Sequence, residues 1–310
     1  MRIILTDKPL DGCKFPSDIE VKRCSIKKLE SYDGNPDVVA IAGSRAMAIQ
    51  AANMDLPSLQ LFQLTSAGFD GVPCEVYAEK NIAVANAGSV YSQPIAETVV
   101  FGMLLMAKKL RSNPNNRHLK IERHYSCITE LAGKNVLIMG AGNIGTAIAK
   151  RLVGFDVCIE GYDPYCPEKR EYNRMLRSRE ELEQNISRYH YIVSTMPDNE
   201  QTRGFLNTEM LGQMNEKAVI VNVGRKSVFN QDDLYRILKE KKIAGAVLDM
   251  FEKLPNPITN RFRRLKNTIV LPGVSAISQE VNERLKKHMY KNLLACVQGE
   301  RIDNVINGVK

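Results

Sequence analysis

Short apolar runs alternate along this chain with longer stretches of helical period, the pattern of a wound parallel sheet whose strands are covered on both faces. Residues 2–7, 37–43, 59–64 and 82–85 predict strands, with helices over 45–54 and 73–80 between them and a long helix over 94–110 closing this part. Residues 111–130 are polar, carry Asn-Pro-Asn-Asn at 113–116, and have the composition of a connector. A second winding follows, with six apolar runs at 135–139, 156–162, 189–195, 218–223, 245–249 and 268–271. Six is the strand count of a doubly wound dinucleotide-binding sheet. Ser178 with Glu181 has capping-box spacing, Asn230 precedes the acidic pair Asp232-Asp233, and a last helix is expected over 278–298.

At 310 residues with 44% hydrophobic and 25% charged content, the chain is long enough for about two domains and too apolar to be chiefly disordered. Its net charge of +8 suits an anionic small molecule. The basic clusters at 239–242, 261–266 and 284–287 fall in different elements with no aromatic reading surface between them, so no nucleic-acid partner is expected. Seven scattered cysteines form no Cys-x-x-Cys pair, which points to reduced thiols in a cytoplasmic setting and to no metal ribbon. The apolar stretch 98–107 is about half a bilayer crossing, and Asp7 interrupts the N-terminal apolar run, so neither a membrane span nor a signal peptide is expected.

Gly140-Ala141-Gly142-Asn143-Ile144-Gly145 directly follows one predicted strand and opens a helix. In that setting the first glycine permits the tight turn, the second lets backbone approach a pyrophosphate, and the third brings helix and strand together. Asp163 ends the next strand eighteen residues beyond the third glycine, close to the roughly 20 at which a carboxylate meets the ribose hydroxyls. It precedes Pro164 and is equally suited to a turn. Together the two features predict a dinucleotide, and a carboxylate there favours NAD over NADP, although Lys169 and Arg170 lie nearby.

Four further segments complete a pattern. Leu131-Ala132-Gly133-Lys134, Asn222-Val223-Gly224-Arg225, Leu248-Asp249-Met250-Phe251-Glu252 and Ile269-Val270-Leu271-Pro272 resemble the D-isomer-specific 2-hydroxyacid dehydrogenases, and the likeness spans nearly the whole chain. The resemblance implies a smaller flavodoxin-like substrate domain of residues 1–98 and 279–310, a Rossmann domain of 99–278, an active site between them, and a homodimer. It further implies that Arg225 grips a small 2-hydroxy or 2-oxo acid, that backbone amides of Ser66-Ala67-Gly68 cradle its carboxylate, and that Pro197, Asn222, Val223, Gly224 and Asp249 join the glycine motif around the cofactor. By the same likeness Glu252 supports an acid/base histidine expected directly after Pro272.

That histidine is absent: residue 273 is glycine. A positioned acid/base group is worth about 10² to 10⁴ in rate, roughly 3 to 5.5 kcal/mol. His118, His124, His190 and His288 are distant in sequence from Pro272, which leaves Glu252 with a water, Lys226, Ser275 or a partner-chain histidine as substitutes. Two functions remain open at this stage. One is an NAD-dependent oxidoreductase, slowed or altered by Gly273, whose reduction of 2-oxo acids rises severalfold or more when histidine is restored. The other is an NAD-binding sensor that has lost turnover.

Overall fold

The computed structural model describes residues 1–110, 128–251 and 261–309. They form two compact units, Met1–Tyr91 with Ser278–Lys310, and Ser92–Ile277. Both are α/β, as the alternation of apolar runs and helices requires.

The first unit carries the parallel strands β1 (Arg2–Thr6), β2 (Ile19–Arg23), β3 (Val38–Gly43), β4 (Leu61–Leu64) and β5 (Ala83–Ala85) in the order β2-β1-β3-β4-β5, the flavodoxin-like winding. β3 and β4 are buried at every residue, so their runs read as continuously apolar apart from Gln63. Helices α1 (Ile26–Leu29), α2 (Arg45–Ala51) and α3 (Cys74–Glu79) connect them. The outer edge of β5 is not left open: Val305 bridges Ala85, Ile306 N donates to Val84 O, and the Asn307 side chain bonds both Val84 N and Ile82 O.

Helix α4 (Gly88–Ala107) runs across the division between the units. Sequence placed its start at Pro94, and proline inside a helix removes a hydrogen bond. The helix begins six residues earlier, at Gly88. Pro94 cannot donate to the Val90 carbonyl four residues back, and Arg284 Nε, at 3.2 Å from that oxygen, supplies the missing donor. Among the described residues α4 is the one helix long and apolar enough to cross a membrane, yet 56% of the relevant stretch is buried in the protein. Gly102 explains part of that packing, since a Cβ there would come 2.9 Å from Val247.

The second unit holds β6 (Asn135–Met139), β7 (Cys158–Tyr162), β8 (Arg174–Leu176), β9 (Tyr191–Ser194), β10 (Val219–Asn222), β11 (Gly245–Leu248) and β12 (Thr268–Val270), all parallel, in the order β12-β11-β10-β9-β6-β7-β8. Seven strands stand where six were expected; the addition is β8, three residues at the edge. The winding reverses at β6, between β7 and β9, which is where ligands of such sheets collect beyond the strand C-termini. Helices α5 (Asn143–Leu152), α6 (Arg179–Asn185), α7 (Thr208–Gln213) and α8 (Gln231–Lys239) cover the faces, and α9 (Gln279–Gln298) returns to the first unit. Ser178 and Asn230 cap α6 and α8 as their spacing implied.

One half-buried carboxylate of the first unit has a measurable consequence. Asp7, at the end of β1, accepts from Ser44 N, while its other oxygen is buried without a partner. Burial pushes its pKa up, against smaller opposing effects of Lys8, Ser44 N and Arg23. A carboxyl whose native pKa is raised costs stability once it ionises, so the penalty is full at neutral pH and absent below the unfolded value. Asp7→Asn keeps the acceptor for Ser44 and should raise Tm at pH 7, with the gain shrinking as pH falls through the raised native pKa; an unchanged Tm difference from pH 7 to pH 4 in calorimetry would contradict this.

Candidate active site

The turn after β6 is shaped by its first and third glycines. Gly140 has φ +93°, a left-handed backbone, and its N–H donates to Tyr162 O at 2.8 Å. A Cβ on Gly145 would lie 2.0 Å from Gly140 O, so only glycine lets α5 approach the strand. Gly142 differs: nothing stands within 4 Å of its absent Cβ, and its φ of −68° is ordinary. Neither packing nor backbone strain requires glycine there. Gly142 is also the N-cap of α5 and has no side chain to answer the amides of Asn143, Ile144 and Gly145, the arrangement in which a helix N-terminus receives phosphate.

Asp163 acts as a turn residue that also braces the glycine motif. Its Oδ1 accepts from Tyr165 N and Cys166 N, each at 3.0 Å, and its Oδ2 accepts from Ala141 N at 2.9 Å, tying the end of β7 to the glycine turn. A carboxylate has about four lone-pair positions, so room for a further donor remains. Lys169, which in sequence was only a nearby charge, reaches the turn itself: Nζ donates to Ala141 O at 2.6 Å and to Thr146 Oγ1 at 2.8 Å. Arg170 does not, being 92% exposed beside Glu171. Two residues escaped the sequence reading. Arg177 donates to the Asp163 and Cys166 carbonyls, and Thr195 Oγ1 stands 2.9 Å from Gly140 O. Their signal is weak because each comes from another strand end.

The loops after β9 and β10 touch at Gly224, where a Cβ would come 2.8 Å from both Met196 N and O. Pro197 is exposed beside them, and its carbonyl accepts from Thr202 Oγ1. The next residue, Asp198, is held below the usual carboxylate range by Arg203, with Ser227 and Arg225 adding to the effect. Arg225 itself is half-buried and donates from Nη1 to Gly224 O at 3.0 Å. Asn222 fixes its backbone: the side-chain amide donates to Arg225 O at 3.1 Å and Met250 O at 3.0 Å, joining the loops after β10 and β11. Val223, 7% exposed, donates from its N–H to Ser194 O.

Asp249, 3% exposed, accepts from Val274 N at 2.9 Å, Ser275 N at 3.3 Å and Ser275 Oγ at 2.5 Å. These bonds build the loop in which the expected histidine is missing. Gly273 there has φ +71°, so a histidine would be strained whatever the space around it. The severalfold rescue expected of a restored histidine is therefore revised: the imidazole would have to be carried on a backbone that L-residues avoid. Ser275 is buried and spends its hydrogen on Asp249, which removes it as a water relay. Lys226 is exposed. His190 lies at the opposite, N-terminal end of the strands, where Asn135 N donates to its Nδ1, and burial lowers its pKa. His288 belongs to the first unit and bonds the Asn86 carbonyl. Glu252, His118 and His124 lie outside the described residues.

In the first unit the loop Ser66-Ala67-Gly68 follows β4. Every carbonyl from 65 to 68 meets a donor: Tyr91 OH on Thr65, Ala87 N on Ser66, Asn86 Nδ2 on Ala67 and Ser66 Oγ on Gly68. With the oxygens turned inward, the amides of 66, 67 and 68 take no partner among the described residues. Runs of unspent backbone N–H groups are a common means of receiving anions in proteins. Among the described residues no group of His, Cys, Asp and Glu is placed to hold a metal.

The NAD-binding domain profile of the D-isomer specific 2-hydroxyacid dehydrogenases matches residues 100–288, more than half of the chain. The chain belongs to this family. It is 29% identical over 250 residues to D-3-phosphoglycerate dehydrogenase of Methanocaldococcus jannaschii, covering 80% of this chain but only 48% of that protein. It is also 29% identical over 259 residues to glyoxylate reductase of Korarchaeum cryptofilum, covering 81% and 77%. The NADPH-dependent glyoxylate/hydroxypyruvate reductase of Sinorhizobium meliloti, solved with NADP and malonate, shares the fold at TM-score 0.74 and 23% identity, over 99% and 97% of the two chains. These relatives are oxidoreductases acting on CH–OH groups, and this chain takes its place among them by family.

Proposed function

We propose that this family member transfers hydride between a nicotinamide cofactor and a small 2-hydroxy or 2-oxo acid. The observation that carries the reading is Gly142, a glycine that nothing in the chain itself requires, at the head of a helix whose first-turn amides point to the same place. Those amides with Gly140, Asn143, Ile144 and Gly145 would hold the pyrophosphate, and Asp163 the ribose. Pro197, Asn222, Val223, Gly224 and Asp249 would border the rest of the cofactor, whose nicotinamide supplies and accepts the hydride.

The chain's own groups account for the remaining chemistry. Arg225 offers a planar fork to the substrate carboxylate and carbonyl oxygens. The amides of Ser66, Ala67 and Gly68 offer an anion seat in the first unit, to which we assign the substrate role, with the cofactor assigned to the second. For the proton, Glu252 acting through water is the assigned donor in 2-oxo acid reduction, and Glu252→Gln should then flatten the pH profile of kcat. NAD is assigned over NADP, because the Asp163 carboxylate would face a 2′-phosphate. Lys169 draws the other way, so the test is direct: NADH should bind about tenfold or more tightly than NADPH, and Asp163→Ser should narrow the gap. Equal affinities in the parent protein would overturn the assignment.

We further assign a homodimer through the second unit, where Phe101, Leu110 and Val153 are each more than half exposed. A monomer in sedimentation at micromolar concentration would refute it. A second reading, a dinucleotide sensor without turnover, is favoured by Gly273 alone. Titration with NADH, followed by a panel of glyoxylate, hydroxypyruvate and pyruvate, separates the two: binding with oxidation supports the enzyme, binding without oxidation of any member supports the sensor.

A further inference from the structure

The strand order of the second unit sets the glycine turn between two neighbours. β6 lies between β7 and β9, so the loops leaving the C-terminal ends of β7 and β9 flank residues 140–145. One loop carries Tyr165, two residues beyond Asp163, and the other carries Gln201. The Tyr165 hydroxyl donates to Gln201 Oε1 at 2.8 Å. A side-chain hydrogen bond therefore joins the two flanks beyond the end of β6, where ligands of such sheets collect.

Both side chains are exposed, Tyr165 at 78%, yet their roots are fixed. On the β7 side Asp163 Oδ1 accepts from Tyr165 N and Cys166 N, and Arg177 donates to the carbonyls of 163 and 166. On the β9 side Thr202 Oγ1 donates to Pro197 O at 2.7 Å, and Thr202 N donates to Asn199 Oδ1 at 3.0 Å. Two braced loops tipped with long exposed side chains can part by rotation about side-chain bonds alone, with neither backbone moving. A hydrogen bond open to water adds little to stability, so its effect falls on what passes beneath it.

We propose that Tyr165 and Gln201 form a latch over the adenosine end of the dinucleotide site, which opens to admit or release the cofactor and closes again over the bound adenosine. The proposal rests on the dinucleotide reading above, in which Asp163 takes the ribose, and adds a residue pair that governs passage. A base attached to that ribose lies between the same two loops. Because the latch is closed in the free protein and in the complex alike, its bond contributes equally to both states. It is broken only on the way between them, so its loss speeds entry and exit by one factor and leaves the equilibrium where it was. A residue that merely contacts the cofactor, or merely stabilises its loop, changes the affinity instead.

The test is stopped-flow fluorescence of NADH binding to the full chain, with dissociation read by displacement with excess NAD⁺. Tyr165→Phe and Gln201→Ala should each raise the association and dissociation rate constants about three- to tenfold, with Kd within about twofold of the parent. The double variant should be no faster than either single one, since both changes remove the same bond. ADP, which carries the adenosine half alone, should show the same acceleration when chased out by NADH. Parent-like rates in both variants, a Kd that shifts with the dissociation rate alone, or an acceleration absent with ADP would each overturn the latch while the dinucleotide reading stands. If calorimetry finds no binding of NADH to the parent protein, the dinucleotide reading itself falls and takes the latch with it.

Discussion

Arg225→Lys is expected to lower kcat/KM by about 10² to 10³-fold while NADH affinity stays unchanged. The side chain is half-buried at the end of β10, braced by the Gly224 carbonyl and fixed at its own carbonyl by Asn222. Lysine keeps the charge but replaces a planar fork by a single mobile ammonium, so two oxygens of the substrate can no longer be held together. The loss should fall on the bound complex and leave the dinucleotide site alone, since the glycine turn is served by other residues. Steady-state rates with NADH titration measure both quantities. A change of less than about threefold in kcat/KM would remove Arg225 from the reacting centre.

The second large effect is a contrast between two glycines of one turn. Gly145→Ala places a methyl 2.0 Å from Gly140 O, a backbone atom that cannot yield as a side chain would. Overpacking of this kind costs about 1 to 3 kcal/mol, occasionally more, and should appear as a lowered Tm without ligand. Gly142→Ala meets nothing in the protein. Its Tm should match the parent, yet its dinucleotide affinity should drop by about tenfold or more, because the methyl would occupy the space we assign to the pyrophosphate. If both variants lose stability equally, or if Gly142→Ala binds normally, the turn does not hold a pyrophosphate at Gly142.

The strands that sequence made legible are those buried on both faces, such as β3, β4 and β9 to β11, where burial forces unbroken apolar runs. The two that escaped, β2 and β8, are edge strands. Ile-Glu-Val-Lys-Arg and Arg-Met-Leu are short and partly exposed, and they form by pairing with a neighbour more than by burying their own side chains. The start of α4 was hidden for a different reason: the donor that replaces Pro94's missing N–H comes from Arg284, 194 residues beyond the carbonyl it serves. In the site, the glycine motif was readable because strand, turn and helix are contiguous. The placement of Lys169 on that turn, and of Arg177 on the loop after β7, was not, because it depends on how β7 and β8 end. Glycine at 273 was plain in the sequence, but its left-handed backbone was not, since glycine fits either hand.

The C-terminal residues bear on how the first sheet meets other molecules. Val305, Ile306 and Asn307 occupy the hydrogen-bonding groups of β5 that would otherwise be presented to solvent. A chain shortened before Asn304 would bare a ready template for strand addition, the route by which sheets recruit one another into aggregates. Light scattering of such a truncated form should rise with concentration where that of the parent stays flat. The last few residues would then serve as a guard on solubility, a duty separate from anything done at the strand C-termini.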